Sequence, residues 1–299
     1  MWLNIQIFGF RALWSPYFFL FLLSIAVVYF LLTGPFKNKF IGHVKPTFVQ
    51  QLLFYFGLIL LYVVKGSPID LLSHIMLTAH MLQMALLYFV VTIFLIKGIP
   101  AEWWDKFVHL PIIKPVFKFF TQPLIALGLF NSLFALYHIP AIFDFTKSSL
   151  VVHSCVTILL FVLAIFMWWP IVTPLKKYDI LNPLLKIGYL VISIFIIAIA
   201  CALIIFASDP LFTAYSSTGA WIQALSLCVP NDVLSGLSGQ LSGPEVFSPL
   251  STIHDQQLGG IIMMTLQEFI YGIVLSKIFF GWFNKKNLSI DPLPKDLPQ

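Results

Sequence analysis

Charge is what this chain lacks most: Asp, Glu, Lys and Arg make up 10% of its 299 residues, against 60% hydrophobic residues. That scarcity excludes a soluble globule, which needs polar side chains to cover its surface. A mean hydropathy of +0.95 leaves the bilayer as its solvent. Cysteine is scarce too, and Cys155, Cys201 and Cys228 are scattered, so neither a redox dithiol nor a cysteine zinc site is expected. Only Cys155 lies close enough to the same side to pair with Cys228 in an oxidising compartment. Internal repeats and heptad runs are missing, as is a separate soluble domain, which implies a single integral membrane domain over residues 1–299. The first residues lack a basic segment followed by a short apolar core and a cleavage site. Residues 1–13 therefore read as an outer interfacial segment instead of a signal peptide. The net charge of +5 is not gathered on a soluble module, which argues against nucleic acid as a partner.

What the chain has in quantity is long uncharged stretches. About 20 apolar residues in a helix cover roughly 30 Å of hydrocarbon while satisfying every backbone hydrogen bond internally. Such stretches fall at 17–34, 47–64, 71–96, 121–143, 150–172, 187–207 and 256–276. They predict an all-α polytopic membrane bundle of about seven transmembrane helices.

Lysine and arginine then set the orientation, because basic residues near helix ends stay in the cytoplasm. One alternating set of connections carries fourteen of them: Lys37, Lys39 and Lys45, then Lys97, Lys106, Lys114 and Lys118, then Lys176, Lys177 and Lys186, and finally Lys277, Lys285, Lys286 and Lys295. The opposite set carries only Arg11, Lys65 and Lys147. The N-terminus is thus expected outside and the C-terminus in the cytoplasm, in a multi-pass protein of the plasma membrane. Residues 208–255 form a long extracytoplasmic loop, whose run Leu234-Ser-Gly-Leu-Ser-Gly-Gln-Leu-Ser-Gly-Pro244 breaks helices and suits a cap or flexible lid. On the inner side, Trp103 and Trp104 in Ala101-Glu-Trp-Trp-Asp105 suit an anchor at headgroup depth in the lipid bilayer.

Histidine is the informative residue. His43 and His109 belong to inner loops, whereas His74, His80, His138, His153 and His254 come from four helices and share one outer depth. Several segments that deliver imidazole to one layer can build a transition-metal site. Met76, His80 and Met84 follow i, i+4 spacing, and Met81 falls on the His74 face at i+7. Thioethers favour Cu(I). Two alternatives stay open: interfacial histidines satisfying backbone or headgroup atoms beside packed methionines, and haem ligation by facing histidines. Glu268 lies near the middle of the last span, with Asn131 as a candidate polar neighbour; the pair reads equally as a proton or ion path and as a structural hydrogen bond.

Motif by motif, the chain resembles the seven-span CtaG family of bacterial cytochrome c oxidase assembly factors. The resemblance lies in Ser67-Pro-Ile-Asp-Leu-Leu-Ser-His74 leading into Ala79-His-Met-Leu-Gln83, in His153 ahead of Met167-Trp-Trp-Pro170, and in Asp255-Gln-Gln-Leu-Gly-Gly-Ile-Ile-Met263. It departs from the family at Met84 and Thr157, where many relatives carry histidine. The resemblance implies a non-enzymatic assembly factor that supplies copper to a nascent oxidase subunit from the extracytoplasmic face, with a copper donor protein as a further partner and homodimerisation open. On that basis His74, His80, His138, His153 and His254 with Met81 or Met84 are the expected copper ligands. Asp255 is expected to orient His254. The competing reading is an ion or small-solute transporter with a midplane site at Glu268 and Asn131. A seven-span receptor rests on span count alone. A membrane enzyme has no nucleophile, paired-carboxylate or phosphate-loop motif to support it, though a His-rich site can also be a catalytic metal centre.

Overall fold

The structure is a computed structural model that describes residues 5–36, 45–237 and 241–287. Lys37, Lys39, His43 and Lys295 lie outside the described residues, as do the side chains of Lys285 and Lys286. Among the described residues the chain is helical without strands. Among the described residues, six helices are long and apolar enough to cross a membrane: α1 (Pro16–Thr33), α2 (Phe48–Lys65), α4 (Leu77–Gly98), α9 (Leu150–Val172), α10 (Pro183–Ile205) and α13 (Thr252–Asn287). A seventh crossing is made if α6 (Ile113–Phe120) and α7 (Pro123–Tyr137) count as one span bent by 78°. Besides single helical turns, the described residues also form α3 (Pro68–Ile75), α5 (Ala101–Val108), α8 (Pro140–Lys147), α11 (Thr218–Leu225) and α12 (Asn231–Leu237).

Local chemistry explains several boundaries. Thr47 and Gln50 form a reciprocal capping box at the start of α2. Asn182 accepts from the Leu185 amide at 2.8 Å, with Pro183 in the first helical turn of α10. The expected span 121–143 is shorter than its apolar run: Pro140 holds Ile139 extended and stops α7 at Tyr137, so the chain re-starts as α8.

The expected span 71–96 also needs correction. Met76 is extended (φ −138°, ψ 143°) and separates α3 from α4. The helical phase linking His74 to Met81, and Met76 to His80, is therefore lost. Met76 packs in the outer cluster and Met84 in the main core. His80 and Met84 remain one turn apart on α4.

No proline or glycine makes this break. Asp255 does, from the start of α13: its carboxylate accepts from the Leu77 amide at 2.6 Å and the Thr78 amide at 3.4 Å, and the Thr78 hydroxyl donates to the Asp255 carbonyl at 2.9 Å. A carboxylate at an exposed helix N-terminus satisfies donors that have no intrahelical partner. Gly259 permits the approach, because an added Cβ would stand 3.1 Å from the Leu77 backbone; beside it, a Cβ on Gly260 would meet Ile205 of α10 at 2.7 Å.

The main core is aromatic. Trp168 of α9 donates to the Tyr88 carbonyl at 3.0 Å within a π-helical stretch at Leu86–Val91, and Tyr271 of α13 packs edge-on to Phe89 and Trp168. A π-bulge frees such a carbonyl.

Of the cap and the flexible lid expected for the 208–255 loop, its described residues form a packed cap. Among its described residues, Trp221, Leu225, Leu234 and Phe247 form a second buried cluster with Ile5, Phe8 and Leu71. Asp144 of α8 ties the loop down by accepting from the Thr213 and Ala214 amides, both at 3.0 Å. All three cysteines are free, so the Cys155–Cys228 bridge is not formed.

Candidate functional site

The site lies where the break at Met76, the end of α7, α8 and the start of α9 meet under the 208–255 loop. His74 ends α3, His80 is on the first turns of α4, His138 caps α7 and His153 opens α9. All four are buried. They come as two pairs: His74 and His153 are 5.3 Å apart edge-on, and His80 and His138 are 6.2 Å apart, measured between ring centroids.

Their nitrogens are not equivalent. His138 Nδ1 lies 2.7 Å from the Phe134 carbonyl, which can only accept, so Nδ1 carries the proton and Nε2 holds the free lone pair. Nε2 is buried with no hydrogen-bond partner, as are His153 Nδ1 and both ring nitrogens of His80. Trp169 and Trp221 Nε1 are likewise buried without a partner; a neutral imidazole among His80, His138 and His153 offers one lone pair, which can accept a hydrogen bond or bind a metal ion. Imidazole nitrogens are borderline donors that can hold Cu, Zn, Fe or Ni.

His74 differs. Its Nδ1 is 3.3 Å from the Lys147 ammonium, which also donates to the Ser73 carbonyl at 3.5 Å. The lysine therefore occupies the lone pair that a metal would need. Lys147 is 1% exposed, and its ammonium stands 5.7 Å from the ring centroids of Phe143 and Tyr215, which also face His80. Burial pushes its pKa down to about 7, with Lys65 lowering it further against the opposing pull of Asp70. The Tyr215 hydroxyl donates to the Ser73 carbonyl at 2.6 Å and closes the wall between the two pairs. Lys147 is one of the three basic residues of the sparse set, and its burial here was not legible in the sequence; its position after Phe143-Asp144 offers no pattern that announces it.

His254 is not brought into this group. It is exposed and shares a 2.9 Å hydrogen bond with Ser251, while the adjacent Asp255 is spent on the amides of α4 and does not orient it. Met81 and Met84 are buried in the main core just below His80. Among the described residues, no three His, Cys, Asp or Glu side chains converge as a ready metal centre.

Glu268 and Asn131 are not brought together either. Asn131 is fully buried, donates to the Leu127 carbonyl and accepts from Ser193 at 2.9 Å; Ser193 in turn meets the Tyr271 hydroxyl at 3.0 Å. Glu268 is exposed on the outer side of α13 beside Gly272 and Ser276. The structural hydrogen bond anticipated for Asn131 is thus made with Ser193 and not with Glu268.

The family model for the cytochrome c oxidase caa3 assembly factor (Caa3_CtaG) matches residues 19–285. The chain belongs to this family. No curated protein and no solved structure matches it. Membership in the Caa3_CtaG family makes it a multi-pass membrane protein of oxidase assembly and gives it an oxidase-related partner in general terms. The match spans every element that carries a buried histidine.

Proposed function

We propose that this Caa3_CtaG-family protein holds copper at the buried histidine pairs and passes it to a nascent oxidase subunit at the extracytoplasmic face of the plasma membrane. The observation that supports it is the set of unsatisfied imidazole nitrogens on His80, His138 and His153, sealed under a folded outer cap. Copper is cargo in this scheme. His80 and His138 offer free lone pairs from neighbouring, mutually tilted rings, His153 offers a third, and Met84 stands one turn from His80 as a soft ligand. A pair of imidazoles with an unfilled coordination position suits a carrier, because an acceptor can take the ion by ligand exchange.

His74 is the conditional ligand: it joins only when Lys147 releases Nδ1. His254, exposed at the head of α13, stays outside the buried set in this scheme. The deciding experiment is the copper content of detergent-purified protein after loading, with an absorption spectrum for haem, in the wild type and in His80→Ala. Stoichiometric copper that the substitution removes, together with impaired oxidase maturation, is the expected result. Equal copper in both proteins, or a haem spectrum, would overturn the assignment.

A further inference from the structure

At the opposite end of α9, roughly 30 Å from His153 by helix length, the chain builds a different site. Helix α6 is turned 78° from α7 at the break over Thr121 and Gln122. Its residues Val116 and Phe119, with Ile112 just before it, are exposed and apolar, which suits a helix lying at headgroup depth. Lys114 and Lys118, one turn apart on α6, face a cavity of about 380 Å³ together with His109, Gln122, Lys177 and Tyr178.

Charge is unbalanced there. Lys177 donates to the Asp105 carboxylate at 3.0 Å and to His109 Nε2 at 2.7 Å, and His109 Nδ1 is fixed 2.6 Å from the Asp105 carbonyl. Lys177 also holds the Asp105 carboxyl below its ordinary range, so this acid stays ionised and neutralises one cation. Lys114 and Lys118 have no acidic partner among the described residues. Two uncompensated ammonium groups therefore face the cavity, beside the amide of Gln122.

On the other side of the same helix, Ile113, Val116 and Phe117 line an apolar groove of about 720 Å³ with Trp103, Phe107 and Phe166. We infer that this cavity binds the phosphate of an anionic phospholipid, with Lys114, Lys118 and Lys177 on the phosphate and the apolar side of α6 against acyl chains. Free phosphate shares the headgroup chemistry, but the exposed apolar residues and the groove commit the site to lipid. The inference is independent of copper, which concerns the other end of the bundle.

The test is native mass spectrometry of the full chain from nanodiscs of phosphatidylcholine with increasing phosphatidylglycerol. The proteins compared are the wild type, Lys114→Gln/Lys118→Gln, and Lys106→Gln on α5 as a control outside the cavity. Saturable retention of one phosphatidylglycerol is expected in the wild type and in the control. The double variant should hold it roughly 10- to 30-fold more weakly, the loss of two surface-apposed cations. Thermal melting in pure phosphatidylcholine, unchanged by the double substitution, separates lipid loss from misfolding; a lowered melt would move the comparison to the single variants. Retention indifferent to the lysines would overturn the inference. So would full displacement of the lipid by millimolar inorganic phosphate or by an acidic peptide.

Discussion

The two ends of this bundle use the same residue types in opposite ways. At the lysine-rich end, Lys114, Lys118 and Lys177 line an open space, and His109 is hydrogen-bonded on both ring nitrogens. At the histidine end, Lys147 is buried, three of the four imidazoles keep an unsatisfied nitrogen, and a packed cap covers them. Solvated cations with satisfied neighbours suit an anion held at a membrane surface. Desolvated imidazoles with free lone pairs suit a soft cation. The difference is one of solvation and hydrogen bonding, because lysine and histidine stand at both ends.

Several substitutions would break or sharpen that contrast, and the largest effect belongs to the histidine end. His138→Ala should remove most of any copper the protein holds, as is expected for His80→Ala, while His109→Ala at the other end should leave copper content unchanged; equal losses would erase the distinction.

Next in size is the joint that carries His80. Gly259→Leu forces a side chain onto the Leu77 backbone and should destabilise the protein by about 1–3 kcal/mol, read as a lower melting temperature in detergent. Asp255→Ala leaves the Leu77 and Thr78 amides without their acceptor and should cost about 1–2 kcal/mol; Asp255→Asn, which keeps an acceptor oxygen, should recover part of the loss. An unchanged melt in Asp255→Ala would show that the break at Met76 does not depend on this cap.

The buried lysine gives a pH signature. Its folded pKa of about 7 lies below the ordinary lysine value of 10.5. Between these values the unfolded chain binds more protons than the folded one, so stability from this group rises with pH above about 7 and is level below it. Lys147→Met should flatten that rise, measured as melting temperature against pH, whereas Lys114→Met should leave the slope as in the wild type.

The smallest effect is expected at Glu268: because it faces outward, Glu268→Gln should leave copper retention and the melt near wild type. A proton or ion flux in proteoliposomes that this substitution abolishes would instead restore the transporter reading.

How much was legible in the chain differs from element to element. The uncharged runs located α1, α2, α9 and α10 within a few residues, because length and apolarity are what a bilayer demands. Pro140 ending α7 was present in the sequence but masked by the continuous apolar run through Phe143. His74, His80, His138 and His153 are buried in two neighbouring pairs and His254 is exposed, a difference that position along the chain does not reveal, because it says nothing about which way a side chain points. The thioethers of α4 were read on an unbroken helix that does not exist.

The sequence by itself determined that the chain is a multi-pass membrane protein and which connections hold the lysines, because both follow from local composition and helix length. Only the tertiary structure decided where α4 begins, which imidazoles keep a free nitrogen and where Lys147 is buried. The physical reason is distance along the chain: Asp255 caps Leu77 from 178 residues away and Lys147 reaches His74 across 73, so neither contact leaves a local pattern to read.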